Sequence, residues 1–182
     1  MPMDTDPDRL DTLPRRLARL EDRARIQDLI AAYAIAVDDR DLDAVVSMFT
    51  EDGEFVRSGV TSRGRDAIRA FYRDAMDRYI LTLHQPLSDL LSLDGDHARG
   101  LLTGRAELAL DGTLVLASYR YADEYVRRGE DWFFARRDLR FHYAVPVEEL
   151  NDGICSPERV RWPGTPPRQG DLPQDRRHDH QL

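Results

Sequence analysis

The 182-residue sequence contains no lysine, a single cysteine and no long apolar run. Its 26 basic residues are all arginines, which indicates a general coding bias, so one arginine needs positional support before it is given a role. Cys155 cannot form an intrachain disulfide and has no neighbouring ligands, which favours an incidental thiol. No apolar stretch approaches the roughly 20 residues that span a bilayer. These absences exclude an intrachain disulfide framework and membrane insertion.

The charge balance is acidic, with a formal net charge of −8 and a pI near 5.1. This argues against generic nucleic-acid binding, which requires a basic surface. The acidic N-terminus MPMDTDPDRLD lacks the basic start and apolar run of a secretory signal, so a cytoplasmic protein is predicted. No metal-ligand cluster or phosphate-binding glycine loop occurs, which predicts chemistry without a metal or cofactor. His178 and His180 are interpreted as incidental histidines of a tail.

The length predicts one globular domain with extensions at both ends. Residues 1–12 are predicted to form a flexible arm and residues 13–146 the folded domain. Residues 147–182 contain Pro, Arg and Asp, including five of the ten prolines, and few apolar residues. They are predicted to form a tail that is poorly ordered or draped over the domain.

Helical periodicity fills the first half of the chain and strand alternation the second. A long apolar stripe predicts the first helix, capped by Thr12 and with Pro14 in its first turn. Two shorter patterns predict helices over about residues 42–49 and 66–79. Turn signals then separate four long strands over residues 80–93, 98–110, 113–126 and 132–145. This order predicts an α+β fold, in which three helices cover one face of a curved antiparallel sheet.

Four aspartates crowd six residues where the first helix ends, in the stretch YAIAVDDRDLDAV. Asp41 is explained as the N-cap of the second helix, and Asp43 lies in its first turn, where the helix dipole favours negative charge. Asp39 is expected to face water. Asp38 follows the apolar stripe at a helix C-terminus, where the dipole disfavours an acid, and it has no capping role. Asp38 is therefore either a solvated acid in a turn or a functional residue.

Arg137 is the only charged residue on the predicted apolar face of the last strand. That face comprises Phe133, Ala135, Arg137, Leu139, Phe141 and Tyr143. A charge in this position requires a partner or a bound anion, because unpaired burial costs several kcal/mol. The open alternatives are a structural ion pair or a head group that reaches the rim of the sheet.

His84 lies on the polar side of the first long strand. It shares that side with the small residues Thr82, Ser88 and Ser92. The opposite side is interpreted as a packing face, formed by Leu81, Leu83, Leu87, Leu91 and Leu93. Small neighbours leave room for a cavity beside His84, although a structural histidine is the open alternative. Pro86 can bulge the strand and shift these faces.

Four segments together resemble the SnoaL-like group of the nuclear-transport-factor-like superfamily. They are IQDLIAAYAIAVDDRDLDAVVSMFTEDGEF, GRDAIRAFY, LHQPLSDLLSLDGDHARG and YRYADEYVRRGEDWFFARRDLRF. The resemblance covers roughly residues 17–143. It implies a cone-shaped curved sheet covered by three N-terminal helices, an α+β barrel with a ligand pocket inside. It is specific for fold and poor for substrate, since the same cone hosts isomerases, cyclases, dehydratases and inactive proteins.

Within this group the chain resembles the eliminating enzymes hexachlorocyclohexane dehydrochlorinase, bile-acid dehydratase and scytalone dehydratase. The resemblance implies that His84 is a general base and that Asp38 holds and stabilises its imidazolium. It also implies that Arg137 stabilises developing charge and that Tyr33 donates a hydrogen bond to the substrate. The second active-site histidine of scytalone dehydratase is not matched. Tyr33 as a core residue, and the Asp38–His84 pair as a structural bond, are the open alternatives.

The predicted function is that of a cofactor-independent lyase or isomerase, dehydratase-like, that abstracts a proton from a hydrophobic polycyclic, terpenoid or polyketide-like molecule. The pocket walls are predicted to be Phe49, Phe55, Tyr72, Met76, Tyr119, Trp132 and Phe141. In such an enzyme, Asp38, His84 and Arg137 should converge on one enclosed pocket. The alternative is a non-catalytic ligand-binding or complex-forming module, such as the small subunit of a ring-hydroxylating dioxygenase. A homo-oligomer, dimer or trimer, is also expected.

Overall fold

The computed structural model describes residues 7–173, with side chains described from residue 12 onward. The first three helices are α1 (Pro7–Asp38), α2 (Leu42–Ser47) and α3 (Arg65–Arg78). The strands are β1 (Phe49–Arg57), β2 (Val60–Arg63), β3 (Tyr79–Asp94), β4 (His97–Leu110), β5 (Thr113–Arg128) and β6 (Asp131–Pro146). A single 3-10 turn, Val147–Glu149, and the short helix α4 (Leu150–Cys155) follow.

The six strands form one sheet in the order β2-β1-β6-β5-β4-β3. β3 to β6 are antiparallel neighbours, as the hairpin signals predicted. β1 pairs in parallel with β6 and antiparallel with β2. The prediction of an α+β fold, with a curved sheet and three N-terminal helices, is confirmed. In the part of the chain that is described, no helix is both long and apolar enough to cross a membrane.

The strands β1 and β2 were missed in the sequence, where TEDGEF was interpreted as a turn. The second helix ends at Ser47, and Phe49 already belongs to β1. Phe49 and Phe55 are buried at either end of β1, but Glu51 and Asp52 between them are exposed. A register shift against β6 accompanies this interruption. The exposed acids break the alternation by which a strand is recognised in a sequence.

α1 begins at Pro7, five residues before the predicted cap at Thr12. Proline is well tolerated at the first helical position, because its missing N–H has no intrahelical partner there. Pro14 consequently lies inside the helix. One side of α1 packs on the sheet through Ile26, Ile30, Tyr33 and Val37, the apolar stripe seen in the sequence.

Register shifts along β3 and β6 decide which residues of these strands face inward. In β6 the register shifts between Phe134 and Arg136. The buried residues are Trp132 and Phe134 before this shift, and Arg137, Leu139 and Phe141 after it. The prediction that Phe133 and Ala135 share the inner face is therefore wrong, because the bulge exchanges the two faces of the strand at this point. The inward position of Arg137 is confirmed.

In β3 the register shifts between Pro86 and Ser88, which confirms the predicted bulge. Thr82 and His84 are half-buried, while Ser88 and Ser92 beyond the bulge are exposed. Much of the predicted leucine packing face is also exposed in this single chain, at Leu81, Leu83 and Leu87. Of that set only Leu91 is buried. The prediction of a packing face fails within the chain because the helices cover the opposite, polar side of β3.

Residues 147–173, here called the C-terminal segment, fold back onto β6. Val160 bridges to Ala144 and is fully buried. The carboxylate of Asp171 accepts a hydrogen bond from the backbone N–H of Phe141 at 2.8 Å. Leu172 is also buried. The part of the predicted tail up to residue 173 therefore contributes to the folded domain, and His178 and His180 lie outside the described residues.

Candidate active site

The acidic stretch after α1 adopts a helix-terminating motif. The backbone N–H of Arg40 donates to Val37 O and that of Asp41 to Ala36 O, and Arg40 has a positive φ of 59°. This is the Schellman arrangement, which satisfies the last carbonyl groups of a helix. Asp41 then caps α2, accepting a bond from Ala44 N at 2.9 Å, as predicted. The motif ends α1 at Asp38 and leaves that carboxylate facing β3.

Both carboxylate oxygens of Asp38 bind His84. Oδ2 accepts the backbone N–H of His84 at 2.7 Å, and Oδ1 lies 2.6 Å from ring Nδ1. Since an ionised carboxylate only accepts, Nδ1 carries the proton and Nε2 is left with a free lone pair in the neutral ring. The side chains of His84 and Asp38 are 16% and 17% exposed. No residue of the described chain bonds to Nε2. The pair is held in place yet remains open to a ligand.

His84 opens into a cavity between the helices and the inner face of the sheet. The cavity contains about 720 Å³ of empty space, counting its open mouth. Its walls are mostly apolar or aromatic, with a hydroxyl or cation at several points. Lining residues include Val37, Phe55, Tyr72, Met76, Leu139 and Phe141. A concave, largely apolar site with a few polar groups is typical of small-molecule binding.

Most of the hydroxyl groups of the cavity belong to four of the tyrosines that line it: Tyr33, Tyr72, Tyr119 and Tyr121. The hydroxyl of Tyr33 hydrogen-bonds to that of Tyr72, and the ring of Tyr33 lies 6.3 Å from that of Tyr121. Burial raises the pKa of all four phenols, that of Tyr119 to about 12, while the charge of Arg137 acts in the opposite direction on each. The ring of Tyr119 lies 6.1 Å from that of His84. These phenols stay neutral at ordinary pH and can donate hydrogen bonds.

Thr82 lies two residues before His84 on the same face of β3 and lines the same cavity. Its hydroxyl oxygen is buried and has no partner among the described residues. The hydroxyl of Tyr119, whose ring lies near His84, makes no hydrogen bond to another side chain of the described residues, but it is not a fully enclosed group like that of Thr82. Buried polar groups are nearly always satisfied, so an unpaired one beside a cavity indicates a place for a ligand atom.

Arg137 does not line this cavity. It is fully buried and forms a two-point ion pair with Asp123, at 3.1 Å from Nε and 3.0 Å from Nη2. Its guanidinium carbon lies 4.2 Å from the ring centre of Tyr33 and 3.9 Å from that of Tyr121. Burial opposes its charge, but Asp123 and the surrounding phenols raise its pKa above the ordinary value. Arg137 therefore lies behind the tyrosine wall of the cavity.

The structure brings together most of the predicted site residues. Asp38 and His84 are paired as expected, and Tyr33 lines the cavity. Five predicted wall residues also line it: Phe55, Tyr72, Met76, Tyr119 and Phe141. Phe49 and Trp132 do not. Phe49 is fully buried against Phe134, and the indole N–H of Trp132 donates to Asp22 of α1 at 3.0 Å.

Three further residues of interest were not identified from the sequence. Asp123 is the only acid on the buried face of β5, so the lone-charge argument that singled out Arg137 would also have found its partner. Arg57 lies on β1, which was not predicted as a strand. Trp162 belongs to the C-terminal segment and lines the cavity. No local pattern indicates that this segment returns to the site. Within the described residues, no group of three or more His, Cys, Asp or Glu side chains is placed to hold a metal ion.

Several known proteins resemble this chain in fold and in sequence. The SnoaL-like domain matches residues 18–138. Gamma-hexachlorocyclohexane dehydrochlorinase of Sphingobium indicum is 26% identical over 140 residues, which cover 74% of this chain and 90% of that enzyme. The structure of hexachlorocyclohexane dehydrochlorinase LinA-type3 from Novosphingobium barchaimii is similar at a TM-score of 0.68, with 26% identity, 72% of this chain and 94% of that chain.

An NTF2-like protein with a cystatin-like fold from Novosphingobium aromaticivorans is similar at a TM-score of 0.60, with 28% identity over 76% of this chain and 90% of that chain. The domain match covers α1 from residue 18, α2, α3, β1 to β5 and the first half of β6, including every residue of the Asp38–His84 and Asp123–Arg137 pairs. The resemblance inferred from the sequence is confirmed, and the chain belongs to the SnoaL-like family.

Proposed function

We propose that the protein is a cofactor-independent lyase or isomerase, in which His84 removes a proton from a carbon next to an activating group of a hydrophobic molecule. The observation that carries the proposal is the double hydrogen bond from His84 to Asp38 at the wall of an apolar cavity. The relationship to dehydrochlorinases of the same family supports elimination as the reaction type.

The proposed proton transfer uses the free ring nitrogen. Nε2 of His84 accepts the proton from carbon, and the imidazolium that results is stabilised by the ionised Asp38 at Nδ1. The second bond, from the backbone N–H to Asp38, keeps the ring oriented throughout. The electron pair of the broken C–H bond then expels a leaving group from the neighbouring carbon. Alternatively, return of the proton to a different carbon gives an isomer.

Negative charge that develops on the ligand requires donors on the same side of the cavity. The hydroxyls of Thr82, which is buried without a partner among the described residues, and of Tyr119 are our candidates, because both residues line the cavity together with His84. Neutral hydroxyl donors fixed in a low-dielectric cavity stabilise such charge without solvent reorganisation. Tyr119 retains its proton at neutral pH because burial raises its pKa to about 12.

Arg137 is proposed as a positioning residue rather than one that touches the ligand. Its charge stacks on the rings of Tyr33 and Tyr121, which separate it from the cavity. The field of this cation favours negative charge at Tyr33, Tyr72, Tyr119 and Tyr121, against the effect of burial. In this role Arg137 and Tyr33 polarise the tyrosine hydroxyl groups and keep this wall of the cavity in place.

A substrate-independent assay tests the base directly. The chromogenic compound 5-nitrobenzisoxazole eliminates when a base takes the C–H proton of its isoxazole ring, the N–O bond breaks and a cyanophenolate forms. We expect turnover by the wild-type protein to fall roughly 100-fold or more in His84→Ala, as general-base catalysis contributes 10² to 10⁴. Asp38→Asn should also lose most activity because the amide cannot stabilise the imidazolium. Exposed Asp39→Asn, in the next position, is the matched control and should keep it.

Undiminished turnover in His84→Ala would remove the proposed base. Chloride release from gamma-hexachlorocyclohexane is a second assay, suggested by the substrate in the name of the relative. If neither compound reacts while both enter the cavity, the non-catalytic binding module becomes the better account of this chain.

A further inference from the structure

A cation of the cavity has no assigned partner. Arg57, the last residue of β1, lines the cavity and is half-buried. Its guanidinium carbon lies 4.9 Å from the ring centre of Trp162 and 5.7 Å from that of Phe141. No carboxylate of the described residues lies within 4.0 Å of its guanidinium, and no hydrogen bond to it is formed within them. The guanidinium of Arg57 is thus held against the rings of Trp162 and Phe141, while its N–H donors are free.

The other cavity cation, Arg40, differs in this respect. Its Nη2 donates to the carbonyl oxygens of Tyr79 and Ile80, the second at 2.8 Å, and the residue is exposed. Arg40 therefore has a structural role at the start of β3. A half-buried guanidinium without a partner, such as Arg57, has lost hydration that nothing in the described chain replaces.

Arg57 and His84 occupy opposite walls of one cavity. β1 and β3 are separated by three strands in the sheet, so only the curvature of the sheet lets both reach the same space. Arg57 lines the cavity from β1, beside Phe141 and Trp162, and His84 lines it from β3. The cavity consequently has a proton acceptor at one end, a free cation at the other and apolar walls between.

We propose that Arg57 binds a carboxylate of the ligand, so that the molecule this cavity takes is a hydrophobic organic acid. A planar guanidinium donates two parallel hydrogen bonds to a carboxylate, and its stacking on Trp162 fixes the plane in which it does so. The acid group lies against β1 and the remainder of the molecule extends toward β3. That the reacting carbon then reaches His84 rests on the proposed function, whereas the carboxylate site does not.

Two small aromatic compounds that differ only in charge test the site. Binding of 2-naphthoate and of its neutral amide, 2-naphthamide, is measured by titration calorimetry with the wild-type protein. We expect the acid to bind about tenfold more tightly than the amide, because hydrogen bonds between charged groups are the strong ones. Added salt should reduce this preference.

Four variants identify the source of the preference. Arg57→Met, which keeps an unbranched stem against Trp162, should bind acid and amide equally, and Arg57→Lys should retain part of the preference. Arg99→Met is the matched control. It removes the same charge as Arg57→Met, but exposed Arg99 lies on β4 outside the cavity. His84→Ala should keep the full preference, which separates failure of this site from failure of the proposed catalysis.

Three results would overturn the carboxylate site. They are the absence of any preference in the wild-type protein, its persistence in Arg57→Met, and its equal loss in Arg99→Met. If Arg57→Met binds neither compound, its cavity has changed shape and Arg57→Lys decides: a retained preference supports the site, and no preference refutes it.

Discussion

Two pairs of an acidic and a basic side chain, Asp38–His84 and Asp123–Arg137, lie close to the cavity but in different surroundings. Asp38–His84 lies at the cavity wall with 17% and 16% of its side chains exposed, whereas Asp123–Arg137 lies behind the wall with none. In the first pair one ring nitrogen remains free. In the second, both side chains are fully buried, and the guanidinium of Arg137 is enclosed by the rings of Tyr33, Tyr121 and Phe134.

The difference separates a group that can meet a ligand from one that can act only through its neighbours. Removing His84 leaves the carboxylate of Asp38 partly hydrated and still bonded to the backbone N–H of residue 84. Removing Arg137 leaves Asp123 as a buried charge with the hydroxyl of Tyr125 as its remaining donor. Burial alone therefore predicts opposite consequences for stability and for turnover in the two pairs.

The largest expected effect comes from breaking the enclosed pair. Arg137→Met should lower the free energy of unfolding by about 3–5 kcal/mol, because a buried carboxylate loses its counter-charge. His84→Ala should lower it by only about 1 kcal/mol. Urea denaturation of both variants measures the contrast. The double variant Asp123→Leu, Arg137→Met should regain most of the loss, and similar losses in the two single variants would contradict the comparison.

A second prediction uses two glycines of β4, one opposite Tyr119 and the other opposite Asp123. Gly104 faces Tyr119 across β4 and β5, and an added Cβ would lie 2.5 Å from its ring atoms. Gly100 faces Asp123, and an added Cβ would lie 2.9 Å from Leu91 and 3.0 Å from the ring of Tyr125. Replacement of either by alanine should cost about 1–3 kcal/mol of stability, the usual cost of overpacking.

Only the alanine at position 104 should affect the benzisoxazole reaction. It displaces Tyr119 beside His84, so we expect turnover to fall about tenfold, equivalent to roughly 1.4 kcal/mol in the barrier. Gly100→Ala disturbs the enclosed pair and should leave turnover close to that of the wild type. A comparable loss of turnover in both variants would mean that the two pairs are coupled more tightly than their separation by the tyrosine wall implies.

The smallest effect concerns the protonation of Tyr119. Because burial raises its pKa to about 12, the neutral phenol, which is the hydrogen-bond donor, persists well above the ordinary titration range. In protein labelled with ¹³C at tyrosine Cζ, the Tyr119 signal should not shift up to about pH 10.5, where a free phenol is largely ionised. Tyr119→Phe assigns the signal and should slow the reaction about three- to tenfold, the worth of one hydrogen bond. Titration near pH 10 would place Tyr119 outside the dry part of the cavity.

Much of the fold follows from local patterns. The stripe of α1, the four long alternating strands and their turn residues identify the elements, because hydrophobic periodicity and turn chemistry act over a few residues. The position of Asp41 as a helix cap is equally local. Strand β1 was missed because exposed Glu51 and Asp52 interrupt its alternation. Bulges in β3 and β6 were decisive for side-chain direction, and only the one at Pro86 has a clear sequence signal.

The amino-acid sequence by itself singled out Asp38 as an acid without a capping role, His84 as a histidine with small polar neighbours, and Arg137 as the one charge on an apolar strand face. Tertiary structure alone decided which of them meet. The curvature of the sheet brings β3 to the end of α1 and Arg57 of β1 to the opposite wall. It also places Tyr33 and Tyr121 between Arg137 and the cavity. Such relations depend on contacts between residues far apart in the chain, and the periodicity of a sequence gives no information about the distances between them.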